Sequence, residues 1–512
     1  MSKQKQASSA WPLTLFTIGV FMAGLDNGII STALSTIGDY YQVSASWGAW
    51  SITLYTLGMA ISVPIIGKLS DIFGRRKLFL VEIFLFGLGS LLVALSPNFT
   101  FLLIARFIQA IGGGGIFIIG SSYVLATLPK AKQGKALGLL GSMHGLSAVL
   151  GPNLGAVILH LTGSWQWMFF INIPIACFLL IFGWLKIGKT NTVKAKPLDI
   201  WGITLLTSGI LALMYGMTNL DSTKFFQSLL TMNVFAYLFV GIVLLIGFIL
   251  YERYLENKGG DPIVAFTLIS NRLFQVTLLL GMLSGGFLAG IIFIPSYVQQ
   301  VLHVPVESAG FWVTPLALAS GIGSGLGGFF TDRIGSMRTI ITAGFVGIIG
   351  FSLFSVFVSD FPTFLLASIL SGIGLGMMLG APLNVLAGKS ARKEAKGSAL
   401  GTLSLSRQIG MTLFPTIFAG FIAGAFAQVE PMVKHEFMEQ DITIEAVDAE
   451  NYLTLTEQVD QIVSEDLRVQ VMGYVTAVLQ NGYNRMFVTS SILAFIVAIS
   501  GFYLLRKKTD KM

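Results

Sequence analysis

Charged side chains are scarce in this 512-residue chain, making up 11% of it against 54% hydrophobic residues. A water-soluble globule of that length needs polar surface to cover its core, and these residues cannot supply it. Cysteine is nearly absent as well. A lone Cys177 excludes an internal disulfide and a zinc site. The net charge of +7 carries no basic stripe with interleaved aromatics, which excludes nucleic-acid binding. No nucleotide loop, metal-ligand cluster or nucleophile constellation stands out. An enzyme is therefore not expected, nor a cofactor, nor ATP as the energy source.

What the chain has in quantity is long apolar runs and 58 glycines. Small residues let membrane helices approach closely where lipid provides no hydrophobic drive. A run needs about twenty residues to cross a ~30 Å hydrocarbon core. Fourteen such runs fall near 12–38, 46–66, 78–96, 100–128, 136–161, 166–185, 200–219, 229–251, 273–299, 308–330, 339–358, 362–388, 397–427 and 486–505. The first is too long for a signal-peptide core and lacks a small-residue cleavage site, so it reads as a retained span.

Alternate loops should collect Lys and Arg if they face the cytoplasm. They hold 26 of the 32 basic residues, and the opposite loops hold four: Lys224, Lys434, Arg468 and Arg485. Both termini are accordingly expected in the cytoplasm of a multi-pass cell-membrane protein. The clusters include Lys3/Lys5, Lys189/Lys194/Lys196, Lys393 and Lys511. One external loop, 428–485, carries eleven acidic residues, with amphipathic spacing over Leu453–Val463. It reads as a solvated cap or as a cation-attracting element.

The chain also repeats itself. Gly134–Pro152 aligns without a gap to Gly397–Pro415, with seven of nineteen positions identical. The same offset pairs Thr100–Leu103 with Thr363–Leu366. A two-residue shift pairs Gly67-x-x-x-Asp71-x-x-Gly74 with Gly328-x-x-x-Asp332-x-x-Gly335. Two parallel six-helix repeats follow, with two helices inserted between them. Transporters built from such halves bind substrate near the midplane and rock one half against the other. The division expected is a cytoplasmic N-terminus (1–11), a first bundle (12–190), inserted helices (191–258), a second bundle with the acidic loop (259–505), and a cytoplasmic tail (506–512).

Several motifs carry chemistry. The stretch Gly67-Lys68-Leu69-Ser70-Asp71-Ile72-Phe73-Gly74-Arg75-Arg76 reads as the cytoplasmic loop between spans 2 and 3. Its glycines permit a tight turn and close helix approach. Asp71 can pair with an arginine or accept hydrogen bonds from a helix start, making a latch that breaks in the other conformation. Asp26 lies inside span 1, where an ionised carboxylate is costly and a protonated one much less so. Glu82, one turn into span 3 and near Lys77, reaches toward headgroups or serves as a second proton site. Arg106 lies two turns inside span 4 and must find a carboxylate, carbonyls or water. Gly151-Pro152 breaks the backbone ladder of span 5 and predicts a pivot. Arg407 in span 13 holds the repeat position of His144 in span 5, and these two with Asn153 are cavity candidates, although His144 is equally readable as a packing histidine.

Together these stretches resemble the major facilitator superfamily, and within it the fourteen-span drug:proton antiporters of the multidrug efflux type. Leu25–Leu34 resembles that family's first-span motif, Arg106–Gly112 its fourth-span motif, Gly145–Gly155 its fifth-span antiporter motif, and Trp165–Pro174 its sixth-span entry. The resemblance implies an all-α integral membrane protein with fourteen transmembrane helices, two six-helix bundles plus two inserted helices. It further implies proton-coupled export of small, drug-like molecules, with Asp26, Arg106 and Glu82 in proton coupling, and Gly67, Asp71, Gly74, Arg75, Arg76, Gly151 and Pro152 in conformational change. Small-molecule substrate, protons and the lipid bilayer are the implied partners; an accessory protein is left open. The chain departs from the family pattern in having Gln166 between the two tryptophans. It also has no Asp or Glu in the apolar parts of spans 9–14, where exporters of cationic drugs in that family often place one. With Arg407 present, neutral, amphipathic or anionic substrates become as well suited. A dedicated exporter or flippase of one lipid or metabolite is the alternative within transport. A sensor on a transporter scaffold is the remote one.

Overall fold

The computed structural model describes residues 10–188, 198–222, 224–392, 394–429 and 465–509. Lys3, Lys5, Lys189, Lys194, Lys196, Lys393, Lys511 and the Leu453–Val463 segment of the acidic loop lie outside the described residues. Among the described residues every regular element is helical.

In chain order the long helices are α1 Trp11–Tyr41, α2 Ala45–Phe73, α3 Arg75–Ala94, α4 in two pieces (Phe99–Gly114 and Ile116–Thr127), α5 Lys130–Thr162, and α6 Asn172–Lys186 with a short lead, Trp167–Phe170. There follow α7 Ile200–Thr218, α8 Met232–Asn257, α9 Arg272–Ile291 continued by Ile294–Gln300, α10 Val313–Arg333, α11 Ser336–Val356, α12 Phe361–Leu379 continued by Pro382–Ser390, α13 Lys396–Phe426 and α14 Glu465–Thr509. Thirteen stretches among the described residues are long and apolar enough to cross a membrane, and α5 is the fourteenth if its bent halves count as one span.

Local sequence explains where the helices start and stop. Asn98 caps α4 by accepting the Phe101 N–H at 2.9 Å, and Asp360 with Thr363 forms a capping box on α12. The halves of α5, Lys130–Ser147 and Leu150–Thr162, meet at 41°. Pro152 lies just past that break, lacks an N–H and crowds the carbonyl four residues earlier, which accounts for the bend.

Two expectations need correcting. The Gly67–Arg76 stretch is not a loop: α2 stays helical to Phe73, and Gly74 alone makes the turn at φ 87°. The last helix begins at Glu465, so the segment 465–485 that reads as external loop is helix instead. At ~1.5 Å per residue this 45-residue helix is about 67 Å long, more than twice the hydrocarbon thickness.

Within the first half α1 packs along α5, and within the second α9 packs along α13. Between halves α5 meets α10, and α2 meets α13. The inserted pair α7 and α8 pack on each other, with α7 also touching α2 and α13. α8 is only 17% buried, as expected of a helix on the periphery facing lipid.

Candidate functional site

Asp26 and Arg106 meet in the interior of the first half. Arg106 Nη1 lies 2.5 Å from Asp26 Oδ2, with the two side chains 0% and 1% exposed. Gln109, one turn after Arg106, closes a ring by accepting from Arg106 Nη1 at 2.8 Å and donating to Asp26 Oδ1 at 2.7 Å. Gln109 also donates to Ser90 Oγ at 2.8 Å, which in turn takes a bond from Asn172 Nδ2 at 3.2 Å. Below the guanidinium lies the Tyr55 ring, 4.1 Å from Arg106 Cζ. Five helices thus contribute to one buried polar cluster. A pair of opposite charges is tolerable at that depth because each compensates the other and the spare lone pairs are bonded. Arg106 Nη2, Tyr55 Oη and Asn172 Oδ1 have no hydrogen-bond partner there.

Sequence reasoning anticipated Asp26 and Arg106 but missed Gln109, Asn172, Ser90 and Tyr55. The first two lie inside the quoted fourth- and sixth-span motifs, and an amide at i+3 from a buried arginine is a usable signal. Nothing in the sequence marks Ser90 or Tyr55.

Asp26 rides on a helix that is locked against α5 by small residues. A Cβ added to Gly24 would stand 1.9 Å from Ser147 Oγ, one on Gly28 2.7 Å from Pro152 Cδ, and one on Gly155 2.3 Å from Thr32 Oγ1. The contacts step by about one turn along each helix, so the ladder runs past Asp26 and through the α5 bend.

Glu82 is not at the headgroups. It is fully buried, its Oε2 accepting the Gly115 N–H at 2.9 Å where α4 breaks, and its Oε1 has no partner. The residue lies two turns into α3, and Gly112 and Gly115 let α4 approach it closely, which draws the carboxyl inward.

His144 sits on α5 and Arg407 on α13, one in each half. His144 is exposed although it sits mid-helix between Gly24 of α1 and Phe117 of α4. Arg407 is half-buried, with Nε on Ser284 Oγ at 3.2 Å and Nη2 unbonded. It is close enough to act on His144 electrostatically. Asn153, after the pivot, is half-buried.

The face bearing the basic clusters is shut. Asp71 Oδ2 accepts the Ser398 N–H at 3.0 Å, and Asp71 Oδ1 lies 3.3 Å from Arg75 Nη2. Arg75 Nε also donates to Ser122 Oγ at 2.7 Å. Arg76 turns away from this latch and donates to the Trp184 carbonyl on the outer surface. Asp332 accepts from the Gly134 and Lys135 N–H groups at 2.7 and 2.9 Å. A segment between α8 and α9 is sewn to the same place. Lys68 pairs with Asp261 at 2.6 Å, Ser398 Oγ donates to the Ile263 carbonyl at 2.5 Å, and buried Glu252 accepts from the Ile263 and Val264 N–H groups at 3.2 and 3.3 Å. No pattern in the sequence points to these last ties.

Two packed helical halves, tied together at one face by Asp71 and Asp332, are the build of a multi-pass membrane transporter. The model of the Major Facilitator Superfamily matches residues 16–415. The chain is 52% identical over 499 residues to the uncharacterized MFS-type transporter YfiU of Bacillus subtilis, with 96% of each chain covered. It is 34% identical over 381 residues to multidrug resistance protein 3 of the same organism, covering 73% of this chain and 72% of that one. The solved human organic anion transporter MFSD10 shares the fold at TM-score 0.57 and 13% identity, over 94% of this chain and 99% of that one. The protein belongs to the Major Facilitator Superfamily.

Proposed function

We propose that the protein is a proton-coupled antiporter that exports small, amphipathic molecules, with both termini in the cytoplasm. The observation that carries this reading is the sealed Asp26–Arg106–Gln109 ring on the helix that packs along the α5 pivot. A proton on Asp26 cancels its attraction for Arg106 and frees the guanidinium to rebond. Because Asp26 sits on the glycine ladder, the change is delivered to the α1–α5 contact and from there to the interface with α10. The second half supplies Arg407 and no acid in its apolar spans, so neutral or anionic amphiphiles suit the cavity better than cations. One charge moving with the membrane potential contributes ~2.3 kcal/mol per 100 mV, enough to drive useful accumulation. Glu82 is a second proton site in this scheme.

The test is uptake of a panel of amphiphilic dyes into everted vesicles with and without an inward-acid pH gradient. The reading predicts gradient-dependent uptake that Asp26→Asn abolishes. Full gradient-dependent transport by Asp26→Asn overturns the assignment of the proton site. Transport of a single metabolite or lipid and of no dye favours a dedicated exporter.

A further inference from the structure

The neighbouring arginines of the Gly67–Arg76 stretch face opposite ways. Arg75 turns inward to Asp71 and Ser122. Arg76 turns outward, bonds the Trp184 carbonyl and lies with its Cζ 4.7 Å over the Trp184 ring. Beside it Lys77 is exposed, its Nζ 5.2 Å over the Phe73 ring. These two cations stand at one end of a groove of about 1060 Å³ between α3 and α6, and no acidic residue lines it. Away from the cations the walls are purely apolar, with Phe84 54% and Ile181 58% exposed. Lys186, whose Nζ lies 5.8 Å over Trp11, adds positive charge at the same end of α6.

We propose that this groove is a binding site for an anionic phospholipid, its phosphate on Arg76 and Lys77 and its acyl chains along the walls from Leu80 to Phe84. The occupant is fixed by the combination of features. Both fixed charges are positive and have no carboxylate in the groove to neutralise them, so an anion complements them. The volume is larger than most small-molecule sites and opens sideways on helices that face the bilayer, so the rest of the ligand is hydrocarbon. Tryptophan and arginine at such a level belong to the membrane interface. The site is on the outer flank of the first half, apart from the Asp26 ring and the space around His144, and does not depend on what the protein transports. Its lining residues Phe73 and Arg76 flank the Arg75 that braces Asp71, so an occupied groove holds the first turn of α3 in its latched position.

The experiment is native mass spectrometry and thermal unfolding of the detergent-purified protein titrated with phosphatidylglycerol, phosphatidylcholine or inorganic phosphate. Phosphatidylglycerol is expected to be retained and to raise the midpoint, with phosphatidylcholine and inorganic phosphate doing neither. Lys77→Gln and Arg76→Gln should each weaken retention about fivefold, the worth of one basic residue at a charged membrane surface. Lys132→Gln, in the first turn of α5, should change nothing. Lys77 is exposed and rests only on the Phe73 ring, so its variant remains readable if Arg76→Gln folds poorly. Equal retention of the two lipids, wild-type retention by Lys77→Gln, or stabilisation by inorganic phosphate alone would each overturn the proposal.

Discussion

Asp71 and Asp332 close the same face of the protein by the same device, each reaching from its own half to backbone N–H groups at the start of a helix in the other. Asp71 takes Ser398 on α13, and Asp332 takes Gly134 and Lys135 on α5. The pairing is reciprocal in the repeat, because Gly134 and Gly397 are equivalent, as are the two aspartates. Glycine is required on both sides of both contacts. A Cβ on Gly67 would meet the Gly397 carbonyl at 2.4 Å, and one on Gly328 would meet the Gly134 carbonyl at 2.3 Å. A carboxylate on helix-start N–H groups is a charge-assisted bond aligned with the helix dipole.

Replacing either aspartate by asparagine keeps an acceptor and removes the charge. Asp71→Asn and Asp332→Asn should each open this face part of the way, and the double variant should open it further than either. Spin labels on exposed positions 132 and 338, in opposite halves and in a Cys177→Ser background, read the change as a longer distance population. Identical distances in the double variant and the parent would remove the latch from the account.

The buried Asp26–Arg106 pair predicts strong non-additivity. Asp26→Asn alone leaves a guanidinium at zero exposure without its counter-charge, and losing one partner of a buried pair costs about 3–5 kcal/mol. Arg106→Gln alone leaves the carboxylate, with Gln109 still bonded to it. The double variant Asp26→Asn/Arg106→Gln should be more stable than the sum of the singles by about 1–3 kcal/mol. Midpoints of thermal unfolding in detergent measure this. All three variants should have lost gradient-driven export.

The glycine ladder makes a prediction with an internal control. Gly28→Ala and Gly151→Ala would place a methyl group within 2.7–2.8 Å of the facing helix, and overpacking of that kind costs about 1–3 kcal/mol. Gly247→Ala and Gly424→Ala meet nothing within 4 Å and should be silent. Export should fall at least tenfold in the first pair and stay at the parental rate in the second.

The positions of the helices were legible because a bilayer imposes one length and one polarity on every span. The repeat was legible because the closing contact needs glycine and aspartate at fixed steps, so both halves carry the same letters. Asp26 and Arg106 stood out as charges in apolar runs. The partners did not. Gln109, Ser90 and Asn172 are ordinary polar residues, and their convergence depends on how α1, α3, α4 and α6 are rotated about their axes, which sequence spacing leaves open. Glu82 was misplaced for the same reason. Counting from the end of α3 put it near the surface, but the close α3–α4 approach at Gly112 and Gly115 draws its carboxyl into the bundle. The helical end of α2 was missed because glycines and a cluster of charges look like a turn.

Glu82 allows a role in proton coupling to be separated from a role in packing. Its carboxyl has one N–H partner, at Gly115, and one oxygen with none. An ionised carboxylate in that setting, with no cation in contact, is costly, and taking up a proton removes the cost. Glu82→Gln retains an oxygen for the Gly115 N–H and has nearly the same volume, so the midpoint of unfolding should stay close to the parental one. Glu82→Ala strands the Gly115 N–H and opens a cavity, and should be destabilised by about 1–3 kcal/mol for the lost bond alone. If Glu82 exchanges a proton in each cycle, Glu82→Gln should cut export driven by a pH gradient at least tenfold. Substrate counterflow at equal pH, which needs no net proton movement, should continue in the same vesicles. Parental rates of gradient-driven export by Glu82→Gln would show that the carboxyl only fills and caps the break in α4.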